Sequence, residues 1–202
     1  MMSFSEIETV SKRASKAIGY SWGISEEIGK SIRILEMFKL PGISTLNQYF
    51  KKIKKNHPKK LKNILKINKS DDELCPIYTG VRILDNCNQL EDLNVIKFFN
   101  INYPLLIIPF LSRSSDIINK PIHVILDQGK YILNCNKTIL TNIEKSNNCK
   151  ISKELTIQFE ENKNLFTDKE WKELYKLSED TFVPETDSLK SSAAGAGLTD
   201  ND

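Results

Sequence analysis

PIHVILDQGKYILNC, Pro121 to Cys135, is where the chain changes period. Upstream, apolar residues recur every three or four positions; here they fall in two short runs, PIHVIL and KYILNC, on either side of Asp127-Gln128-Gly129. Short apolar runs bounded by turn residues read as strands, and Asp and Gly between them as a hairpin. LTIQF, Leu155 to Phe159, supplies a further strand, so a small antiparallel sheet is expected. Helices before the sheet and one after it make the fold class α+β.

Working back from the hairpin, the N-terminus has the capping-box spacing Ser3 and Glu6, with Met2 placed to staple onto Ile7. Ile7, Val10, Ala14 and Ala17 then mark one apolar face up to Gly19. After the link GYSWG a second helix is expected, capped by Ser25 and running to about Lys39. Ile28, Ile32 and Leu35 form its apolar face, and Glu26 and Lys30 an i,i+4 pair. Ser44 is placed to cap a third helix through Leu46, Tyr49, Phe50 and Ile53, and the first 65 residues read as helical. The stretches from Asp71 to Asn102 and from Leu105 to Ile118 fit helix or strand, and both are read as helix. Beyond the sheet, Thr167 and Glu170 form a second capping box with Phe166 placed to staple onto Trp171, and a helix follows through Leu174, Tyr175 and Leu177. The expected organisation is a single α+β domain over residues 1–202. It has a helical part (1–65), a mixed part with the hairpin (66–190) and a Gly/Ala-rich acidic tail (191–202), which is taken as ordered.

Composition narrows the function classes. Hydrophobic residues at 40% and charged residues at 27% are ordinary for a globular protein and exclude wholesale disorder. The longest apolar run, Tyr103 to Leu111, is broken by Pro104 and Pro109 and is too short to span a bilayer. Glu6 and Glu8 stand where an export signal would be basic, so a cytoplasmic protein is expected, with Cys75, Cys87, Cys135 and Cys149 as reduced thiols. Net charge is +3, yet nine lysines and no acid lie between Lys51 and Lys69, which leaves the remainder mildly acidic. That run lacks arginine, and lacks interleaved aromatics beyond Tyr49 and Phe50. It reads as a solvated face and not as a nucleic-acid platform, with His57 exposed inside it. The bias toward Lys, Asn and Ile is that of an AT-rich coding sequence. Neither a membrane partner nor a metal is expected, no cofactor is indicated, and the oligomeric state is not legible.

Four stretches, SWGISEEIGKSIRILE, LCPIYTGVRILD, YPLLIIPF and the closing TFVPETDSLKSSAAGAGLTDND, resemble the bacterial family catalogued as domain of unknown function 3726. The resemblance runs through essentially the whole chain. It brings no established catalytic residue; members show Pro where this chain has Ser21 and Arg where it has Lys190. It also implies neighbours of the malate/lactate dehydrogenase type, and with them small organic acid or amino-acid metabolism.

Two segments are candidate site elements. Trp22, Gly23, Glu26 and Glu27 are placed to wall a pocket for a cationic or amine-bearing ligand, through carboxylate charge and cation–π attraction. In the tail, Gly195 and Gly197 allow close passage through a groove. Thr199, Asp200, Asn201 and Asp202 then arrive as oxygen ligands suited to an ammonium group, a hard cation or proton transfer. Glu185, Asp187, Asp200 and Asp202 are the acid/base candidates, and Lys190 a ligand-binding one. A Cys135–His123 pair across the hairpin carries less weight, since a lone strand histidine is usually structural. Two functions follow. One is an enzyme of small organic acid or amino-acid metabolism, with its site between the Trp22–Glu27 link and the tail. The other is a non-catalytic accessory protein of a metabolic enzyme such as a malate/lactate-type dehydrogenase. The corresponding partners are a small polar metabolite or that enzyme.

Overall fold

The computed structural model describes residues 2–53, 73–144, 150–161 and 164–182. Three helices come first, α1 (Phe4–Ile18), α2 (Trp22–Met37) and α3 (Gly42–Ile53). They are followed by α4 (Pro76–Asp85), α5 (Cys87–Glu91), strand β1 (Val95–Asn102), a 3-10 turn at Pro104–Ile107 and α6 (Ile108–Ile117). Strands β2 (Ile122–Leu126), β3 (Gly129–Asn134), β4 (Thr138–Thr141) and β5 (Ile151–Phe159) complete the sheet, and α7 (Asp168–Glu179) follows. The α+β class is as expected. The described residues up to Glu161 form one compact unit, and α7 belongs to a second. In α7 the Thr167–Glu170 capping box is made on both sides, and the Phe166 and Trp171 rings stack with centroids 5.5 Å apart.

The hairpin lies where the turn residues put it, with Leu126 paired to Gly129 across Asp127 and Gln128. The sheet is antiparallel in the order β1-β5-β2-β3-β4, so the last strand inserts between the first two. Asp127 helps to fix that insertion from the turn: its carboxylate accepts from the Lys153 and Glu154 amides at 2.7 and 3.2 Å. Ile122, Val124, Leu133, Leu155 and Ile157 are fully buried, and α6 packs on β2 and β3.

Several boundaries differ from expectation. The second helix begins at Trp22 and not after Ser25: Ser21, in an extended conformation, caps it by accepting from the Ile24 amide, and Ser25 is buried inside it. α3 begins at Gly42, ahead of Ser44, because Glu36 reaches forward and takes the Ile43 amide at 2.8 Å. Val95–Asn102, expected as helix, is a strand; buried Ile96 and Phe98 alternate with exposed Val95 and Lys97, and the run pairs with β5. Pro76–Asp85 and Ile108–Ile117 are helical as expected. Residues 54–65 of the expected helical part lie outside the described residues.

α1 keeps its expected Ser3 cap and its left-handed Gly19 stop, and Ile7 and Ala14 of its expected face pack against the core, but its most deeply buried positions lie to one side of that face. Its buried residues are Ser11 and Ser15, whereas Val10 is 58% exposed. The reason is close approach to α2: a Cβ on Gly29 would sit 2.7 Å from the Glu8 carbonyl oxygen, so only small residues fit that crossing. Beneath these helices the core holds a polar knot. The Tyr49 hydroxyl lies 3.0 Å from Cys75 Sγ and 3.4 Å from the Tyr20 hydroxyl, all three side chains being buried. Burial pushes the pKa of the Cys75 thiol and of both phenols up, so each is held in its neutral form.

Candidate functional site

Two helix stripes face each other across an open cavity of about 350 Å³. On α2, Lys30, Arg33, Ile34 and Met37 follow the i, i+3, i+4, i+7 spacing of one face, turned away from Ile28, Ile32 and Leu35 in the core. On α6, Arg113, Asp116 and Ile117 repeat the i, i+3, i+4 pattern. Asn136 closes one side, just past β3, and its side-chain oxygen accepts from the Ser112 hydroxyl at 3.0 Å.

Glu27 organises the cations. It is on the α2 turn below Lys30, accepts from the Lys30 ammonium at 2.8 Å, and accepts from Nη1 of Arg113 on α6. Burial pushes the Glu27 carboxyl up, but the two cationic partners outweigh it and its pKa ends below the usual range. Arg33 is held from the other side by charge: its Nε lies 2.8 Å from the Glu8 carboxylate of α1, though off the line of a hydrogen bond. A guanidinium has five donors in a planar fork, and each of these ion pairs uses only part of it. Among the described residues the Nε–Nη2 edge of Arg113 and the two terminal nitrogens of Arg33 have no partner. A flat anion with two oxygens matches such an edge.

The position of Arg113 is set by its neighbours on α6. Ser112, Ser114 and Ser115 are all fully buried. Ser115 donates to the Lys120 carbonyl oxygen at 2.6 Å and accepts from the Cys135 amide at 2.8 Å, which ties the helix to the β3 end. Arg113 is thus the partly exposed residue in a run of anchored ones.

Of the residues expected at a site, Trp22 and Gly23 form the first turn of α2 and not a link. Trp22 is 56% exposed, with the Lys12 and Lys16 ammonium groups 5.8 and 5.4 Å from its ring centre. The cations over this ring therefore belong to the chain itself. Glu26 pairs with Lys12 at 2.5 Å and not with Lys30, and that bond holds its carboxyl below the usual range. Glu27 alone of these four reaches the cavity's cations. Glu185, Asp187, Lys190, Gly195, Gly197, Thr199, Asp200, Asn201 and Asp202 lie outside the described residues, as do His57 and most of the lysine run. Within that run Lys52 is not simply solvated: it bonds Glu73 at 2.5 Å and the buried Asn102 at 2.7 Å. His123 and Cys135 go to different partners, Glu160 at 3.3 Å and Asn119 at 3.8 Å. Cys75, Cys87 and Cys135 are free thiols. Among the described residues no group of three His, Cys, Asp or Glu side chains is placed to hold a metal, and no helix is long and apolar enough to cross a membrane.

Sequence patterns do not single out Arg33, Arg113 and Asp116, although a signal for the arginines exists. The chain has four arginines, at 13, 33, 82 and 113, among 29 basic residues. Arginine carries a planar fork that lysine lacks, so its rarity against the lysine background makes each one worth locating. Two of the four line this cavity.

Fold and site together define an α+β protein with a cavity between two helices whose lining holds three cations and one carboxylate. Residues 2–75 match the family model described as Protein of unknown function (DUF3726), the family that the sequence resembles. The match takes in α1 to α3 and ends at Cys75, a shorter span than the resemblance drawn over the whole chain. Glu27, Lys30 and Arg33 are inside it, and Arg113 and Asp116 outside. No curated protein matches the chain, and no solved structure does.

Proposed function

We propose that this protein binds a small carboxylate-bearing metabolite and serves small organic acid or amino-acid metabolism in the bacterial cytoplasm. The observation that carries the reading is the unpaired guanidinium edge of Arg113 at a cavity shared with Arg33 and Lys30. About 350 Å³ is near the lower end of ligand-pocket volumes, which suits a small acid and not a dinucleotide. Glu27 has the role of a positioning residue, since its charge goes to holding Lys30 and Arg113. Calorimetric titration with malate, lactate and L-leucine tests the reading. At least one should bind, and Arg113→Lys, which keeps the charge but loses the fork, should weaken it by about tenfold or more. If none of the three binds, or if the substitution changes nothing, the carboxylate assignment fails.

One observation favours a second reading, a non-catalytic accessory protein of a metabolic enzyme such as a malate/lactate-type dehydrogenase. The expected apolar face of α1 is only partly covered and leaves an apolar groove of about 270 Å³ against α3, lined by Ile7, Val10, Ala14, Ile43, Leu46 and Phe50 among others. Such a groove suits an amphipathic helix of a partner. Under this reading Val10→Glu abolishes co-sedimentation with a purified dehydrogenase of that type and leaves the acid titrations unchanged. Absence of co-sedimentation with the unsubstituted protein sinks it.

A further inference from the structure

We infer that the cavity between α2 and α6 takes a zwitterionic α-amino acid with an apolar side chain. The inference rests on the carboxylate reading above and narrows it by two observations, the charge balance of the site and the chemistry of its remaining wall.

Lys30, Arg33 and Arg113 bring three positive charges to the lining. Two are offset from behind, because Glu27 holds Lys30 and Arg113 while Glu8 holds Arg33. The third negative charge is Asp116, which stands in the lining itself and has no ion pair among the described residues. It is one helical turn from Arg113 on the same face, yet Arg113 is drawn to Glu27 instead. The site is therefore neutral as a whole but divided, with free guanidinium edges on one side and a free carboxylate on the other. A dicarboxylate would give a neutral site two surplus negative charges. A 2-hydroxy acid would give it one, and would leave Asp116 facing an uncharged hydroxyl. A zwitterion adds no net charge and meets each half with its opposite: carboxylate on the Arg113 edge, ammonium on Asp116.

The rest of the wall is apolar. Met37 is 50% exposed and Ile117 is 57% exposed, and both line the cavity together with Ile34. Apolar side chains left open beside paired charges gain by being covered, so the ligand's side chain is of the leucine or phenylalanine kind and not polar.

The test uses the whole protein and calorimetric titration. L-Leucine and L-phenylalanine are each compared with the 2-hydroxy acid of the same side chain, and with L-serine as the polar control. Asp116 is exposed, so Asp116→Asn leaves the fold intact and isolates its charge. Expected is binding of L-leucine or L-phenylalanine at least about tenfold tighter than of its 2-hydroxy analogue and than of L-serine, with Asp116→Asn erasing the first preference by weakening the amino acid alone. Equal affinity for amino and hydroxy acids, or a preference that survives Asp116→Asn, overturns the zwitterion inference. If both compounds still lose affinity in Arg113→Lys, the carboxylate reading stands without it. If no probe binds the unsubstituted protein, both fall together.

Discussion

Gly80→Ala is expected to destabilise the protein although alanine is the better helix former. Gly80 is buried in α4, and a Cβ there would lie 2.4 Å from Cδ2, 2.7 Å from Cγ and 3.0 Å from Cε2 of Phe110. Ordinary contact begins at 3.4 Å, so the ring must retreat by about 1 Å, yet Phe110 is fully buried and close packing makes any retreat displace its neighbours. Overpacking of this kind costs about 1–3 kcal/mol, and the better helix propensity of alanine offsets about 1 kcal/mol of it. With an overlap this deep the cost lies in the upper part of that range, for a net loss of about 1–2 kcal/mol, a fall in Tm of roughly 2–8 °C for a chain of this length. Phe110→Leu removes the obstructing ring, so the double substitution should be less destabilised than the two singles added together, by about 1 kcal/mol. Phe110 is also one turn ahead of Arg113 on α6, so displacing the ring carries the cation with it and the acid titration should weaken in parallel. Urea unfolding followed by circular dichroism reads the stabilities. A Gly80→Ala protein as stable as the parent, or additive singles, would refute the close α4–α6 packing that helps to hold α6 in place.

Two further outcomes follow from ionisation. The Glu27 carboxyl is held below its usual range in the fold, so its contribution is present above the unfolded pKa of about 4.3 and is lost as pH falls through the lower folded value. Glu27→Gln should therefore cost about 1–2 kcal/mol at pH 7 and flatten the fall in stability below about pH 4; an unchanged acid limb would sink the pairing. Cys75 is buried and its thiol is pushed up, and Cys87 is buried too, whereas Cys135 is half-buried. In a Cys149→Ser background a thiol reagent at about pH 8 should modify Cys135 promptly, and Cys75 and Cys87 only on unfolding. Prompt modification of Cys75 would mean that the Tyr20–Tyr49–Cys75 knot is open.

How much of the structure is legible in the sequence depends on whether the deciding contact is local. The Ser3 cap, the Gly19 stop, the Asp127–Gly129 hairpin and the Thr167–Glu170 box are made within a few residues, and each forms as its spacing implies. The Phe166–Trp171 pairing is local too. Where expectation and structure part, the partner is distant. Val95–Asn102 is a strand because β5 pairs with it, Val95 against Gln158, and nothing inside the octet distinguishes that from a buried helix. α1 turns its serines inward because Gly29 of another helix lets the backbones approach. The same rule governs the site: Glu27 is legible as a candidate, but its partner Arg113 is 86 residues away and no spacing rule connects them. Spacing at i,i+4 assigns Glu26 to Lys30, yet Lys30 goes to Glu27 because Lys12 on α1 claims Glu26.

The pairing of Glu27 with Arg113 also bears on which parts of the chain build the cavity. The segment that matches the family model, residues 2–75, supplies Glu27, Lys30, Arg33 and Glu8, which together carry two negative and two positive charges. By itself that set is balanced within its own helices and leaves no open guanidinium edge beyond Arg33. The rest of the chain contributes Arg113, which draws on the Glu27 carboxylate already shared with Lys30, and Asp116, which supplies the opposite pole. The site thus exists only where α6 is pressed against α2, and α6 is held there by the Gly80–Phe110 contact on one side and by Ser115 at the β3 end on the other. A segment cut after Cys75 would keep the helices' own ion pairs and lose the divided cavity. A family match over residues 2–75 therefore covers only the α2 side of the cavity lining, and Arg113 belongs to the part of the chain that the match does not reach.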